Sequence, residues 1–529
     1  MSRKILIVLA ILASIVLVTV YSNSKSNQGI DDVIRVATLA EPKSLDPAKT
    51  TGVWEARVLY ALFEGLVVQD ENDEIVPGVA KSWSISKDLK TYTFKLRKDA
   101  KWSDGEPLNA HDFVYTMRRL VDPKTAATVA YMLYWVENGL EINKGKKDVS
   151  ALGVKALDDY TLQIKLSEPN SFFLSILASC ALMPVPKHLI ESNNWIKGGL
   201  FVSNGPYVIS SRVPKQHIKA DKNPYYWDNK NVSINHITYY TQDELHTLLK
   251  RYKNGEIDIL YDFDTNQIDS VKRDFSDQLS LLPYSGMFSY AINSENKELN
   301  NIKVRQALSM AIDRERIVSS VLKDTGETAA YGVIKDIANY KHVSYSWQGM
   351  SQGKKTEMAK KLMKEAGFSE ANPLTVELKY VTSENQKKIA VAISDMWKKI
   401  GVKVLLYNQD SSTHFSDVMS GNFQVAVATW TDDFFDPYAH FNIYMSDSVF
   451  NFTRMKSDEY SKLVVKASQS SDIKLRNKIY HKAEKIILDG YYMLPIYYYS
   501  SHTLVAKRVK GFKPVDLGYH KIKYLSLDN

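Results

Sequence analysis

The side chains with the most chemistry in this 529-residue chain are the carboxylates of residues 424–437, QVAVATWTDDFFDP. Asp432, Asp433 and Asp436 stand there among Trp430, Phe434 and Phe435. A carboxylate held among aromatic rings is costly to desolvate unless a cation meets it, and a ligand ammonium is one such cation. Asp436-Pro437 is also a helix start signal, so the stretch reads as well as an acidic turn capping the next helix. Taken alone it leaves both readings open. Other reactive groups are sparse. The 11 histidines are scattered, none at the i, i+4 spacing of a metal pair; His188, His236 and His246 cluster only loosely around His217. The single cysteine, Cys180, lies in an apolar run and reads as a buried thiol, with no internal disulfide possible. No Gly-x-Ser-x-Gly, His-Glu-x-x-His, Walker-type or Cys-x-x-Cys pattern occurs. The expectation is therefore no catalytic residue, no metal and no cofactor.

The elements that would carry these carboxylates come next. Residues 424–430 are apolar and β-prone and predict one buried strand leading into the acidic turn. Residues 31–39 predict a first strand. Pro42 and Pro47 then keep Glu41, Pro42, Lys43 and Ser44 extended and out of a central strand, free to pair with an added one. Residues 53–66 have helical periodicity. Thr91, Thr93 and Lys95 alternate with Tyr92, Phe94 and Leu96, the pattern of a half-buried strand. Asn109 caps a helix predicted to run to Leu120.

The totals bound the class. This length exceeds one ordinary core and calls for roughly two or three domains. A hydrophobic content of 44% with 24% charge is that of a globular protein. The net charge of +8 is spread without a basic block, which argues against nucleic acid. The 32 tyrosines and nine tryptophans suit a ligand cleft as well as a core. Residues 5–20 form an apolar run behind Arg3 and Lys4, short for a membrane span, and read as an export signal. No cysteine follows it, so a lipoprotein is excluded. Residues 1–22 are expected to be a cleaved signal peptide, or an anchor in the inner membrane if uncleaved.

A resemblance emerges along the whole chain. Ala80-x-Ser82-Trp83, Thr91-Tyr92-Thr93-Phe94, Lys101-Trp102-Ser103-Asp104-Gly105 and Asp112-Phe113-Val114-Tyr115 open it. Asn204-Gly205-Pro206-Tyr207, Asn223-Pro224-Tyr225-Tyr226-Trp227, Gly255-Glu256-Ile257-Asp258 and Val304-Arg305-Gln306-Ala307-Leu308 continue it in order. Glu365-Ala366-Gly367-Phe368, Ile400-Gly401-Val402 and Leu494-Pro495-Ile496-Tyr497 close it. This order resembles the extracellular solute-binding proteins of the peptide/nickel class, family 5, nearest to the periplasmic oligopeptide-binding proteins of ABC transporters.

The resemblance implies an α/β, two-lobed periplasmic-binding-protein-like (class II) fold with an extra inserted domain. It divides the chain into lobe I (31–53, 194–284 and 500–529), inserted domain II (54–193) and lobe III (285–499). It implies a non-enzymatic, monomeric periplasmic receptor that closes on extended oligopeptides and delivers them to ABC permease subunits in the inner membrane. One wall would be Glu41, Pro42, Lys43 and Ser44, the other Thr429, Trp430 and Thr431, both pairing with ligand backbone. Asp433, three past Trp430, would hold the ligand ammonium. The family's cationic partners for the ligand carboxylate are largely missing. Val427 and Gln386 stand where relatives carry Arg and His, Ser411 stands where they carry Trp, and Lys323 alone keeps its charge. Tyr131, Tyr134, Tyr261 and Tyr290 are candidate pocket walls. The alternatives are the same fold with another solute (nickel chelate, haem, sugar or a peptide-like antibiotic), an exported peptidase, or a folding helper or adhesion surface.

Overall fold

The computed structural model describes residues 32–528 apart from 51, 191–194, 196–200, 243, 338, 514–517 and 519. The expected signal segment, 1–22, lies outside them. Among the described residues no helix is long and apolar enough to cross a membrane.

A 12-stranded mixed sheet organises the molecule. At its centre run two long antiparallel strands, Leu279–Ile292 and Met493–Val505. Their Leu279/Leu504 end is extended by Ile259–Leu260, Val33–Ala37, His236–Tyr240, His217–Lys222 and Tyr207–Val213. Their Ile292/Met493 end is extended by Val425–Val427, Leu374–Val381 and Val402–Gln409. The neighbour Val33–Ala37 is parallel to both strands beside it, and Leu374–Val381 likewise. Such strands are covered by helices and read as apolar runs, as Ile34, Val36 and Ala37 show by being fully buried.

The two ends of the central ribbon are separated by an irregularity. Pro283 pairs with Ser500, and Met287 with Tyr498, so Tyr284, Ser285 and Gly286 face Tyr499 alone. Extra residues on one strand bend and twist it locally. Gly286 takes a φ of +152° there. A side-chain carbon at that position would fall 2.7 Å from the Trp430 carbonyl oxygen and 3.0 Å from the Tyr499 ring, so only glycine fits.

A separate four-stranded antiparallel sheet lies within 80–165, in the order Ala80–Ile85, Thr91–Leu96, Thr161–Lys165, Val154–Asp158. The alternation read at 91–96 is what builds it: Tyr92, Phe94 and Leu96 are buried. The helix Ala110–Val121 packs against it, capped by Asn109 in a reciprocal box with Asp112.

Two expectations are corrected. The predicted strand 424–430 is broken into Val425–Val427 and Trp430–Thr431: both pair with Leu279–Ile292 in one register, and at the break the Ser289 hydroxyl takes the Ala428 carbonyl. The predicted helix 53–66 stops at Leu62. Gly205 N–H takes the Leu62 carbonyl, and Asn204 brackets Glu64 by donating to its carbonyl and accepting from its N–H. These partners, some 140 residues away, replace the helical ladder.

Candidate functional site

Asp433 lies just past Trp430–Thr431, the short strand paired to Gly286 and Met287. Pairing to the bulge therefore fixes where the acidic turn begins. The Tyr131 hydroxyl reaches Asp433 from the region of the four-stranded sheet and donates to its Oδ2 at 2.5 Å. The two residues are 302 positions apart, so this bond joins distant parts of the fold. Asp433 is open to solvent on one side. The protein around it still desolvates the carboxyl enough to hold its pKa above the ordinary value, with the Tyr131 hydrogen bond pulling down and the Asp432 charge pushing up. Among the described residues no cation pairs with it. Tyr284, in the bulge, stands within electrostatic reach of Asp432, Asp433 and Arg57.

The neighbouring carboxylates have different roles. Asp432 is buried, accepts the Ser285 hydroxyl from the bulge and lies 3.4 Å from His440 Nδ1. Asp436 is buried, pairs with Arg476 and accepts the Tyr438 N–H at 2.9 Å. Asp436 thus holds the start of the next helix through the Tyr438 N–H, whereas Asp433 faces outward and accepts the Tyr131 phenol.

The segment 41–44, expected to be extended, instead belongs to no strand and bends at Lys43, and it is held from behind. Glu41 accepts Arg212 at 2.7 Å and the Lys215 N–H at 3.1 Å. The Pro42 carbonyl also accepts Arg212, at 3.3 Å. Lys43 N–H donates to the fully buried Glu55 at 3.1 Å, while its side chain is exposed. The Ser44 hydroxyl accepts from Asp46 N–H at 3.0 Å. The Glu41 charge is therefore neutralised within the protein. Thr429 and Thr431 are exposed, and Trp430 donates its indole N–H to the Ala439 carbonyl at 3.0 Å.

The structure does not gather the remaining candidates around Asp433. Tyr290 is fully buried in the core, so as a pocket wall it is corrected to a packing residue. The Tyr134 hydroxyl donates to Asn143 at 2.6 Å. Tyr261 is buried with the Arg57 guanidinium 3.6 Å over its ring. Gln386 turns back to accept the Val381 N–H at 3.0 Å. Ser411 is the exposed first residue of the helix Ser411–Ser420. Val427 is buried, its carbonyl bonded to His414. Lys323 is exposed on a tight loop, at φ +59°, with no partner among the described residues.

Residues 74–452 match the family described as bacterial extracellular solute-binding proteins, family 5 Middle. The chain belongs to this family. This family 5 protein is 39% identical over 496 residues to the periplasmic oligopeptide-binding protein OppA of Salmonella typhimurium, across 92% of this chain and 91% of that one. It is 38% identical over 493 residues to the periplasmic murein peptide-binding protein MppA of Escherichia coli, across 92% and 91% of the two chains. The unliganded open form of MppA superimposes with a TM-score of 0.84 at 36% identity, over 94% of this chain and 98% of that one. The fold is accordingly the two-lobed α/β solute-binding architecture with an extra domain, and the family is one of binding proteins.

Sequence reasoning missed several residues that shape this family 5 site. Tyr284, Ser285 and Gly286 set the bulge, Tyr499 opposes it, and Glu55 and Arg212 hold the 41–44 segment. One signal was present: an isolated glycine inside a strand pattern marks a bulge or a close backbone approach.

Proposed function

We propose that the chain is the substrate-binding component of a peptide ABC importer and holds an extended oligopeptide by its backbone and its free amino terminus. The observation that carries this reading is Asp433: a desolvated carboxylate with a raised pKa, a phenolic donor and, among the described residues, no cation. A ligand ammonium supplies what the protein withholds, and Tyr131 fixes the carboxylate to receive it. Thr429–Thr431 and 41–44 are the two walls, each offering backbone to an added strand, so that affinity does not depend on ligand side chains. We adopt the division into 31–53, 194–284 and 500–529, 54–193, and 285–499. The bulge at 284–286 is where the central ribbon passes from one end of the sheet to the other, and a hinge there would let the walls close.

With neutral side chains at Val427, Gln386 and Ser411, Lys323 is the one candidate cation left for the ligand carboxylate. A single flexible ammonium selects length weakly, so we propose tolerance of varied peptide lengths. The protein acts in the periplasm as a monomer, exported by residues 1–22, with ABC permease subunits as its membrane partner, and it is not an enzyme.

Calorimetry on protein freed of co-purified ligand tests the site. Tetra-alanine should bind, and its N-acetyl form should lose about 2–5 kcal/mol, as should Asp433→Ala with the free-amine peptide. Equal affinity for the two peptides would sink the assignment of Asp433.

A further inference from the structure

Beside the Tyr131–Asp433 bond lies an aromatic cluster that backbone pairing does not explain. Phe172 is buried and stacks on Phe434 at 5.4 Å with the rings 6° from parallel. It also stacks on Tyr438 at 4.6 Å. Trp135 meets both edge-on, 5.5 Å from Phe172 and 5.3 Å from Tyr438. Ser171 closes the contact, its N–H donating to the Ser468 carbonyl at 2.9 Å and its hydroxyl to the same oxygen at 3.0 Å. Arg476, which pairs with Asp436, lies 6.0 Å from the Phe172 ring.

The placement of these residues is the argument. Trp135 follows Tyr131 by four residues, and Ser167 N–H donates to the Trp135 carbonyl, tying Phe172 to the same unit. Phe434 directly follows Asp433, and Tyr438 begins the next helix. Each half of the cluster is thus the immediate neighbour of one half of the amine site. A single phenol–carboxylate bond open to water is weak and easily exchanged. Three rings stacked out of water, with a doubly bonded carbonyl beside them, form a far stiffer joint.

We infer that the Phe172–Trp135–Phe434–Tyr438 clasp preassembles the amine site, holding Tyr131 against Asp433 before a peptide arrives. Phe172 and Trp135 are positioning residues and touch no ligand. The inference rests on the peptide reading above for its role, but the joint itself does not. An anchor assembled in advance raises apparent affinity, because only the assembled fraction of molecules binds.

Two measurements on the full-length, ligand-free protein test it. The first is hydrogen exchange by mass spectrometry on fragments covering 168–174, where the Ser171 amide reports the joint. It should be protected in the parent and exchange faster in Phe172→Ala. Phe172→Leu, which keeps apolar volume but no ring face, should fall between and guards against a variant that fails to fold. The second is titration with tetra-alanine and N-acetyl-tetra-alanine. Phe172→Ala should weaken the free-amine peptide about tenfold, the effect of a competent fraction reduced to a tenth. It should leave the residual affinity of the acetylated peptide unchanged. An unprotected Ser171 amide in the ligand-free parent overturns the inference, as does an equal loss for both peptides. If the amide is protected but neither peptide binds the parent, the peptide reading and the role in capture fall together, while the joint stands.

Discussion

At the scale of single residues, the protonation of Asp433 decides what the site can do. Its pKa is raised, first by desolvation, so its charge is lost at a higher pH than that of an exposed aspartate. An ammonium binds only the ionised form. Peptide affinity should therefore fall on acidification, beginning above the ordinary aspartate range. Tyr131→Phe removes the one hydrogen bond that opposes the shift. We expect it to move this acid limb to higher pH and to weaken neutral-pH binding by about 1 kcal/mol, read by calorimetry across pH. Glu484 gives a second titration, in stability. It is fully buried, accepts Tyr340 and the N–H groups of Val333 and Val343, and burial lifts its pKa to about 7. The native carboxyl keeps its proton up to about 7, whereas the unfolded one releases it near its ordinary 4.5. Stability from this group is thus complete below 4.5 and lost as pH rises through 7. Denaturant unfolding should show the parent losing stability relative to Glu484→Gln over that window, with no further change above it. Asp433 was singled out by the family resemblance, since a carboxylate among aromatics by itself left both readings of the turn open. Glu484 was not, because its donors come from a loop some 150 residues earlier.

At the scale of elements, the site depends on an irregularity. Trp430–Thr431 pairs with Gly286 and Met287, at the edge of the three residues that bulge opposite Tyr499. Gly286→Ala would drive a methyl group against the Trp430 carbonyl at 2.7 Å and force an alanine into positive φ. Strain of this kind costs about 1–3 kcal/mol. We expect Gly286→Ala to lower the thermal midpoint and to weaken free-amine peptides, since the displaced strand carries Asp433 with it. A midpoint and affinity equal to the parent's would show that the bulge does not hold the acidic turn. The alternation at 91–96 and the cap at Asn109 could be read directly, because each is local: the pattern and its physical cause lie within one turn or one strand. The break at Ala428 and Thr429 and the early stop at Leu62 could not. One coincides with the Ser289 hydroxyl taking the Ala428 carbonyl, the other follows from Asn204 and Gly205 replacing helical hydrogen bonds.

At the scale of the whole molecule, family order made the two-lobed architecture legible, since motifs from residue 80 to residue 497 recur in one sequence. What order does not reveal is how side chains on the central ribbon tie neighbouring segments to it. His502 is one such tie. It sits on the strand Met493–Val505, with Nδ1 3.6 Å from Asp262, which follows Ile259–Leu260, and Nε2 3.3 Å from Glu327, which precedes Thr328–Ala329. The Lys272 ammonium adds a bond to the Asp324 carbonyl at 2.9 Å, so the loop bearing Lys323 is docked from the same side. Burial alone would lower the pKa of His502, but the two carboxylates outweigh it and raise it from 6.5 to about 9. The unfolded histidine gives up its proton near 6.5 and the native one near 9, so this tie is complete below 6.5 and lost as pH rises through 9. Its size is about 2 kcal/mol once the half-exposed Asp262 is discounted for screening. His502→Gln should therefore destabilise the protein at pH near 6 and make little difference above pH near 9.5, as read by paired thermal unfolding curves. The difference between parent and variant must shrink as pH rises. A difference independent of pH would mean that His502 acts by packing edge-on against the Phe263 ring, 6.3 Å away, and not by charge.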